Sequence, residues 1–153
     1  MSSENSSPCV ADGSMEAFFR RFEAQNAAAD LDGLTALYAP AFLKAGPDGT
    51  QVVNARDLIH AIPKRKQLFA AAGCRSTTLL SVDETRLDDR YSLVRTEWEW
   101  AFQRADGTTA VISQPSTFIV DRAADGGKIV CYMNHGDVVA EMRACGLLAT
   151  TNP

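Results

Sequence analysis

Residues 91–120 read YSLVRTEWEWAFQRADGTTAVISQPSTFIV, and their pattern decides the fold. Val94, Thr96, Trp98, Trp100 and Phe102 alternate with Arg95, Glu97, Glu99, Ala101 and Gln103. A period of two is that of a strand with one apolar and one polar face. Asp106-Gly107 supplies a tight turn, since both residues tolerate positive φ. The returning segment is rich in Thr, Val and Ile, which suit a pleated surface. The stretch therefore predicts one long β-hairpin, and accumulated strand twist keeps such a hairpin from being flat. Two tryptophans on one face need a large apolar volume opposite them, supplied by helix or by ligand.

Downstream and upstream of this hairpin the same period continues. It predicts strands over 75–86, 90–104 and 107–121, and a fourth from Lys128 to about His135 after the AADGG turn. Short turns between consecutive strands make an antiparallel meander. Asp137 then caps a short last helix through Cys145, with Gly146 just past its end.

Before Arg75 the pattern is helical. Ser14 is the N-cap of a first helix, and Met15, Phe18, Phe19, Phe22, Asn26 and Ala29 form its apolar stripe, read as core rather than as a cofactor box. DLDGLTALYAP predicts a second, short helix capped by Asp30 or Asp32, with Leu34, Leu37 and Tyr38 inward and Pro40 at its end. Gly-Pro-Asp-Gly at 46–49 turns a small hairpin between Phe42-Leu43 and Val52-Val53. Asn54 caps a third helix with Asp57 three residues on, and Pro63 kinks or splits that helix before Gly73. Helices first and strands after define an α+β fold. The Ser-rich residues 1–13 are expected to be a tail, 14–148 one domain, and 149–153 a short C-terminal tail.

Composition limits the function classes. A chain of 153 residues is long enough for one sizeable core, and 46% hydrophobic with 22% charged residues is ordinary for a globular protein. A net charge of −4 carries no nucleic-acid footprint, and the run Lys64-Arg65-Lys66 reads as a solvated helix face. Cys9, Cys74, Cys131 and Cys145 are widely spaced, without CxxC or Cys/His pairing, so they read as free thiols of a reducing compartment. No apolar run approaches the ~20 residues of a membrane span, and no signal-peptide pattern is visible. The expectation is a cytoplasmic protein with no metal, no cofactor, no nucleic-acid partner and no membrane contact.

The order of these parts resembles the nuclear transport factor 2-like superfamily. The resemblance spans residues 14–148 and rests on NAAADLDGLTALYAP, the capped third helix and the strand meander; HGDVVAEMRACGLL is similar to the end of the SnoaL-like branch. It implies a curved antiparallel sheet wrapping the long N-terminal helix as a cone. The ketosteroid isomerase branch of that superfamily places its catalytic tyrosine at Phe22, its general-base aspartate near Gly46 and its oxyanion-hole aspartic acid at Ser116. Phenylalanine and glycine cannot donate or take a proton, although Ser116 can still donate one hydrogen bond, so chemistry of that form is not expected.

By this resemblance the concave face presents Thr96, Trp98, Trp100, Ser116 and Phe118, with Phe22 and Tyr38 closing the cone from the helices. These residues either line an apolar pocket or fill the cone themselves, and the tryptophans facing outward as a dimer surface is a third arrangement. The polar group at the end of the last strand is Asn134, His135 and Asp137. A histidine beside a carboxylate suits general acid–base catalysis, with Tyr38 as hydrogen-bond donor; the plainer reading makes Asp137 a helix cap and His135 a rim residue. His60 reads as a surface histidine, and Arg95, Glu97 and Glu99 as a cross-strand ion-pair lattice or dimer surface. There is no G-x-S-x-G elbow and no Gly-rich phosphate loop. The expectation is a homodimer that binds a small apolar molecule; any reaction would be a cofactor-free isomerisation, cyclisation, hydration or dehydration. The alternative is a non-catalytic interaction module.

Overall fold

The computed structural model describes residues 14–148, so the predicted tails 1–13 and 149–153 lie outside the described residues. Helix α1 spans Met15–Ala27, and the Ser14 hydroxyl accepts the Ala17 N–H at 3.0 Å. Its stripe is core at Met15, Phe18 and Phe19, which are buried; Phe22 and Asn26 are half-buried, and Ala29, also expected in the stripe, is exposed beyond the helix end with φ 56. α2 is a single turn, Leu31–Thr35, whose cap Asp30 accepts the Gly33 N–H. β1 (Tyr38–Gly46) and β2 (Gly49–Asn54) form the small hairpin, and α3 (Leu58–Ala71) follows a 3-10 turn at Ala55–Asp57. β3 (Cys74–Arg86), β4 (Tyr91–Gln103), β5 (Thr109–Asp121) and β6 (Lys128–Asn134) are the meander, and α4 (Val138–Ala144) closes the chain.

The fold is α+β, with six strands in the order β2-β1-β6-β5-β4-β3 in a curved sheet that does not close. One junction departs from the antiparallel expectation, because β1 and β6 pair in parallel. In β4 and β5 the even-numbered residues from Ser92 to Phe102 and from Ala110 to Val120 are buried, while most of their odd-numbered neighbours are half-buried or exposed. The helices cover the even face: Phe19 meets Phe118, Phe22 meets Trp98, and Phe69 meets Trp100. That settles the direction of the tryptophans, which point inward to the helices and not to an outer surface.

Four local expectations are corrected. Tyr38 and Pro40 belong to β1 rather than to the second helix, since Gly33 and Thr35 are weak helix formers and a residue before proline favours extended backbone. Pro40 falls within the register shift between β1 and β6, where a missing N–H breaks no regular ladder. Asn54 makes no side-chain cap, because the chain enters α3 through the 3-10 turn. α3 runs through Pro63 unbroken; the carbonyl deprived of its partner is that of Ile59, which is exposed and accessible to water. Nor do Arg95, Glu97 and Glu99 form a lattice. Among the described residues the ion pairs are Arg20 with Glu16 and Glu23, Arg90 with Asp121, and Arg122 with Glu84.

The Arg90–Asp121 pair ties the β3–β4 turn to the end of β5 through two parallel bonds of 2.9 and 2.8 Å. These bonds hold the buried Asp121 carboxyl below its ordinary value of 3.8. A depressed carboxyl stabilises the fold above its unfolded value and loses that contribution as pH falls through the folded one. Asp121→Asn is therefore expected to destabilise at pH 7, by roughly 1–3 kcal/mol for bonds to a charged group, with the gap from the unsubstituted protein narrowing below about pH 4. Urea unfolding at several pH values checks this; a gap of constant size down to pH 3 would refute the linkage.

Candidate functional site

Register builds the inner face. Thr96 lies opposite Ser116, and Ser116 opposite Asn134, so β4, β5 and β6 place three polar side chains in one row. The row is bonded. The Trp98 indole N–H donates to Thr96 Oγ1 at 2.9 Å, Thr96 Oγ1 donates to the Ser116 carbonyl at 3.3 Å, and Ser116 Oγ donates to Asn134 Oδ1 at 3.2 Å. Thr96 and Ser116 are buried, whereas Asn134 is half-buried. A fixed polar row inside an apolar shell can orient a ligand at low cost in reorganisation.

Around it the rings interlock. Phe22 lies 5.7 Å from Trp98, 6.2 Å from Tyr38 and 6.2 Å from Phe118, and Tyr38 lies 4.6 Å from Phe42. Trp100 packs against Phe69 at 6.1 Å. Trp98 is 6% exposed and Trp100 9%, so the deep part of the cone is filled by the protein's own aromatics. What opens toward solvent is the rim, where Phe22, Tyr132, Asn134 and Ile62 are half-buried. Burial pushes the Tyr38 phenol well above its ordinary range, the neighbouring Tyr132 adds to this, and the Arg65 charge opposes it. Tyr38 thus stays a protonated donor.

The structure brings together Phe22, Tyr38, Thr96, Trp98, Ser116, Phe118 and Asn134, with Trp100 one step along the same face. It separates His135 and Asp137 from them. His135 Nε2 lies 2.6 Å from Thr117 Oγ1, and Thr117 points to the face opposite Ser116 and Phe118. Asp137 caps α4, accepting the Ala140 N–H at 3.0 Å. Tyr132 is an inner-face residue that sequence reasoning missed: its ring stacks on Phe118 at 4.8 Å with planes 1° apart. The signal was present, since Tyr132 lies two residues before Asn134 and so shares its face.

Two concavities lie elsewhere on the surface. One of about 460 Å³ sits at the start of α1 between Phe18, Arg21, Arg122 and Gly127. The other, of about 560 Å³, runs along the outer side of α3 past Asp57, His60, Lys64 and Gln67, which leaves His60 exposed as expected. No group of three or more His, Cys, Asp or Glu suited to a metal ion occurs among the described residues. Among those residues, no helix is long and apolar enough to cross a membrane.

A family model described as NTF2-like protein (DUF6841) matches residues 11–137. No curated protein matches the sequence. Solved structures match the fold. An NTF2-like protein with a cystatin-like fold from Novosphingobium aromaticivorans superposes with a TM-score of 0.65 at 17% identity, over 89% of this chain and 87% of that one. The β subunit of benzoate 1,2-dioxygenase from Burkholderia mallei gives 0.62 at 18%, over 88% and 95%. A structure from Catenulispora acidiphila in complex with S-DNPA gives 0.63 at 11%, over 83% and 93%.

Proposed function

Because the chain belongs to the NTF2-like family DUF6841, whose model covers most of it, we propose that its cone binds a small, largely apolar molecule at the rim, above the filled aromatic interior. The observation that carries this reading is the bonded row Thr96–Ser116–Asn134 set among half-buried rings. It supplies a hydroxyl and an amide beside Phe22, Tyr132 and Trp98, which is the mixture of apolar wall and few polar anchors that small-molecule sites use. That a protein of the same fold is found in complex with S-DNPA supports a ligand-binding reading. Tyr38 would donate a hydrogen bond to the ligand, and any chemistry would be acid–base in type without a cofactor. His135 and Asp137 do not enter this site as the chain stands, so the proposal rests on the inner face alone.

The protein is also proposed to act as a homodimer. Across the outer face, register aligns Val52, Leu43, Cys131, Ile119 and Leu93 in one apolar row through five strands. Val52 is 74% exposed and Leu43 40%, so the row wants cover. Burial also pushes the Cys131 thiol up, keeping it uncharged within that row. A dimer with no ligand is the second reading, favoured by the close ring contacts within the cone.

Titrating steroids, polycyclic aromatics and fatty acids against intrinsic fluorescence separates the two. Binding at the rim is expected to change Trp98 emission saturably and to raise the melting temperature with the logarithm of ligand excess. Asn134→Leu, which removes the amide while keeping the volume, is expected to weaken binding by about tenfold, the size of one polar contact. A flat response from every class, with an unchanged melting temperature, would overturn the binding reading and leave the dimeric module.

A further inference from the structure

The three adjacent cations of α3 meet three different fates. Lys64 lines the outer concavity. Lys66 donates its ammonium to the Asn26 carbonyl and ties α3 to the end of α1. Arg65 does neither. Its guanidinium carbon lies 4.7 Å over the Phe69 ring, and Arg65 follows the half-buried rim residue Ile62 by three positions on the same side of α3, so the charge stands beside the rim. It has no ion-pair partner among the described residues, and stacking on a buried ring limits where the planar group can move.

A second cation reaches the same face. In the parallel register Lys44 pairs with Tyr132, and paired residues of parallel strands share a side, so Lys44 lies on the inner face beside the Tyr132 ring. Lys44 is exposed and likewise unpaired among the described residues. Two carboxylates on the neighbouring helices are held by other groups: Glu23 accepts the Leu79 N–H at 2.8 Å and meets Arg20, and Glu141 accepts from the Gln114 amide.

We infer that the rim ligand carries an anionic group, a carboxylate in the simplest case, which Arg65 grips while the apolar body lies against Phe22, Tyr132 and Trp98. Lys44 adds attraction from the β1 side, and Tyr38, beside Phe22, offers a neutral hydroxyl. A planar guanidinium grips a carboxylate through two parallel bonds, so lysine at 65 retains the charge but not the fork. This inference rests on the proposed rim site and narrows its substrate class to amphipathic acids.

The test uses matched pairs that differ in charge alone: lithocholate against its methyl ester, and 2-naphthoate against 2-naphthamide, measured by calorimetry. With the unsubstituted protein, at least one acid is expected to bind about tenfold or more tighter than its neutral twin. Arg65→Gln is expected to erase that preference, bringing the acid down to the affinity that its neutral twin shows with the same variant; Arg65→Lys retains part of it. Acid and twin binding equally would overturn the anion assignment, and a preference that survives Arg65→Gln would overturn the grip assigned to Arg65; either result leaves the rim site standing. Absence of binding by all four compounds would overturn the rim site and this inference with it.

Discussion

Replacing Gly73 with alanine is expected to destabilise the fold by about 3–5 kcal/mol, among the largest effects of any single methyl group in this chain. Gly73 joins α3 to β3 with φ +93, a conformation that a β-carbon disfavours by roughly 1–2 kcal/mol. Strain is the smaller part. The added carbon would fall well inside contact distance of the Gln103 carbonyl oxygen and 3.2 Å from its carbon. Both are backbone atoms of the last residue of β4, and Gly73 O accepts the Gln103 N–H at 2.8 Å. Relief requires moving the end of β4, which is paired on its two sides at Cys74↔Phe102 and Gln103↔Thr109. Gly107→Ala is the control: its φ is +88, but nothing lies within 4 Å of the new carbon, so it should show the conformational cost alone, about 1–2 kcal/mol. Urea unfolding of both variants decides the matter. A loss at Gly73 no larger than at Gly107 would mean that the hairpin end shifts freely.

The same hairpin shows what was legible in the sequence. Alternation from Val94 to Phe102 is uninterrupted, and a side-chain period of two admits one register against a buried layer, so the strand limits came out within about a residue or two. Pro115 did not mislead, since β6 ends at Asn134 opposite Ser116 and the proline lies just past that end. Other features depend on distant parts of the chain. The parallel seam joins Leu43 to Cys131, and nothing within either segment states that they meet. Tyr38 lies where helix and strand patterns overlap, and the seam decided in favour of the strand.

For the site, parity within a strand was reliable and extrapolation beyond it was not. Thr96, Trp98, Trp100, Ser116 and Phe118 share the inner face as alternation implies. Reading His135 and Asp137 as neighbours on one side assumed that β6 continued to residue 137. It ends at Asn134, and Gly136 passes so close to Gln114 that a β-carbon there would lie 2.8 Å from the amide nitrogen. Through that turn alternation no longer applies, and the two side chains find different partners. The basic run is solvated at Lys64 and Arg65 as expected, while Lys66 is half-buried and bonded to the Asn26 carbonyl. Successive helix residues are rotated by about 100°, so three like charges in a row face three directions, and composition cannot say which one reaches the rim.

Phe118→Ala is expected to cost about 3–5 kcal/mol and to lower the melting temperature by roughly 6–20 °C, because this ring is the keystone between sheet and helix. It is 2% exposed, lies 4.7 Å from Phe19 and stacks on Tyr132. Deleting it removes apolar area from the core and also leaves a void that neighbouring rings, themselves interlocked, cannot collapse into. Phe22→Ala is the comparison, since Phe22 touches the same rings but is half-buried at the rim, where solvent or ligand can fill the space. Its cost should be smaller, and its larger effect should fall on ligand affinity. The two positions therefore separate filled interior from open rim. A dry cavity at 118 should in addition take up a small arene, so benzene is expected to raise the melting temperature of Phe118→Ala and not that of the unsubstituted protein. Were Phe118→Ala to cost no more than Phe22→Ala, the interior would be loosely packed, and the ligand would belong deep in the cone instead of at its rim.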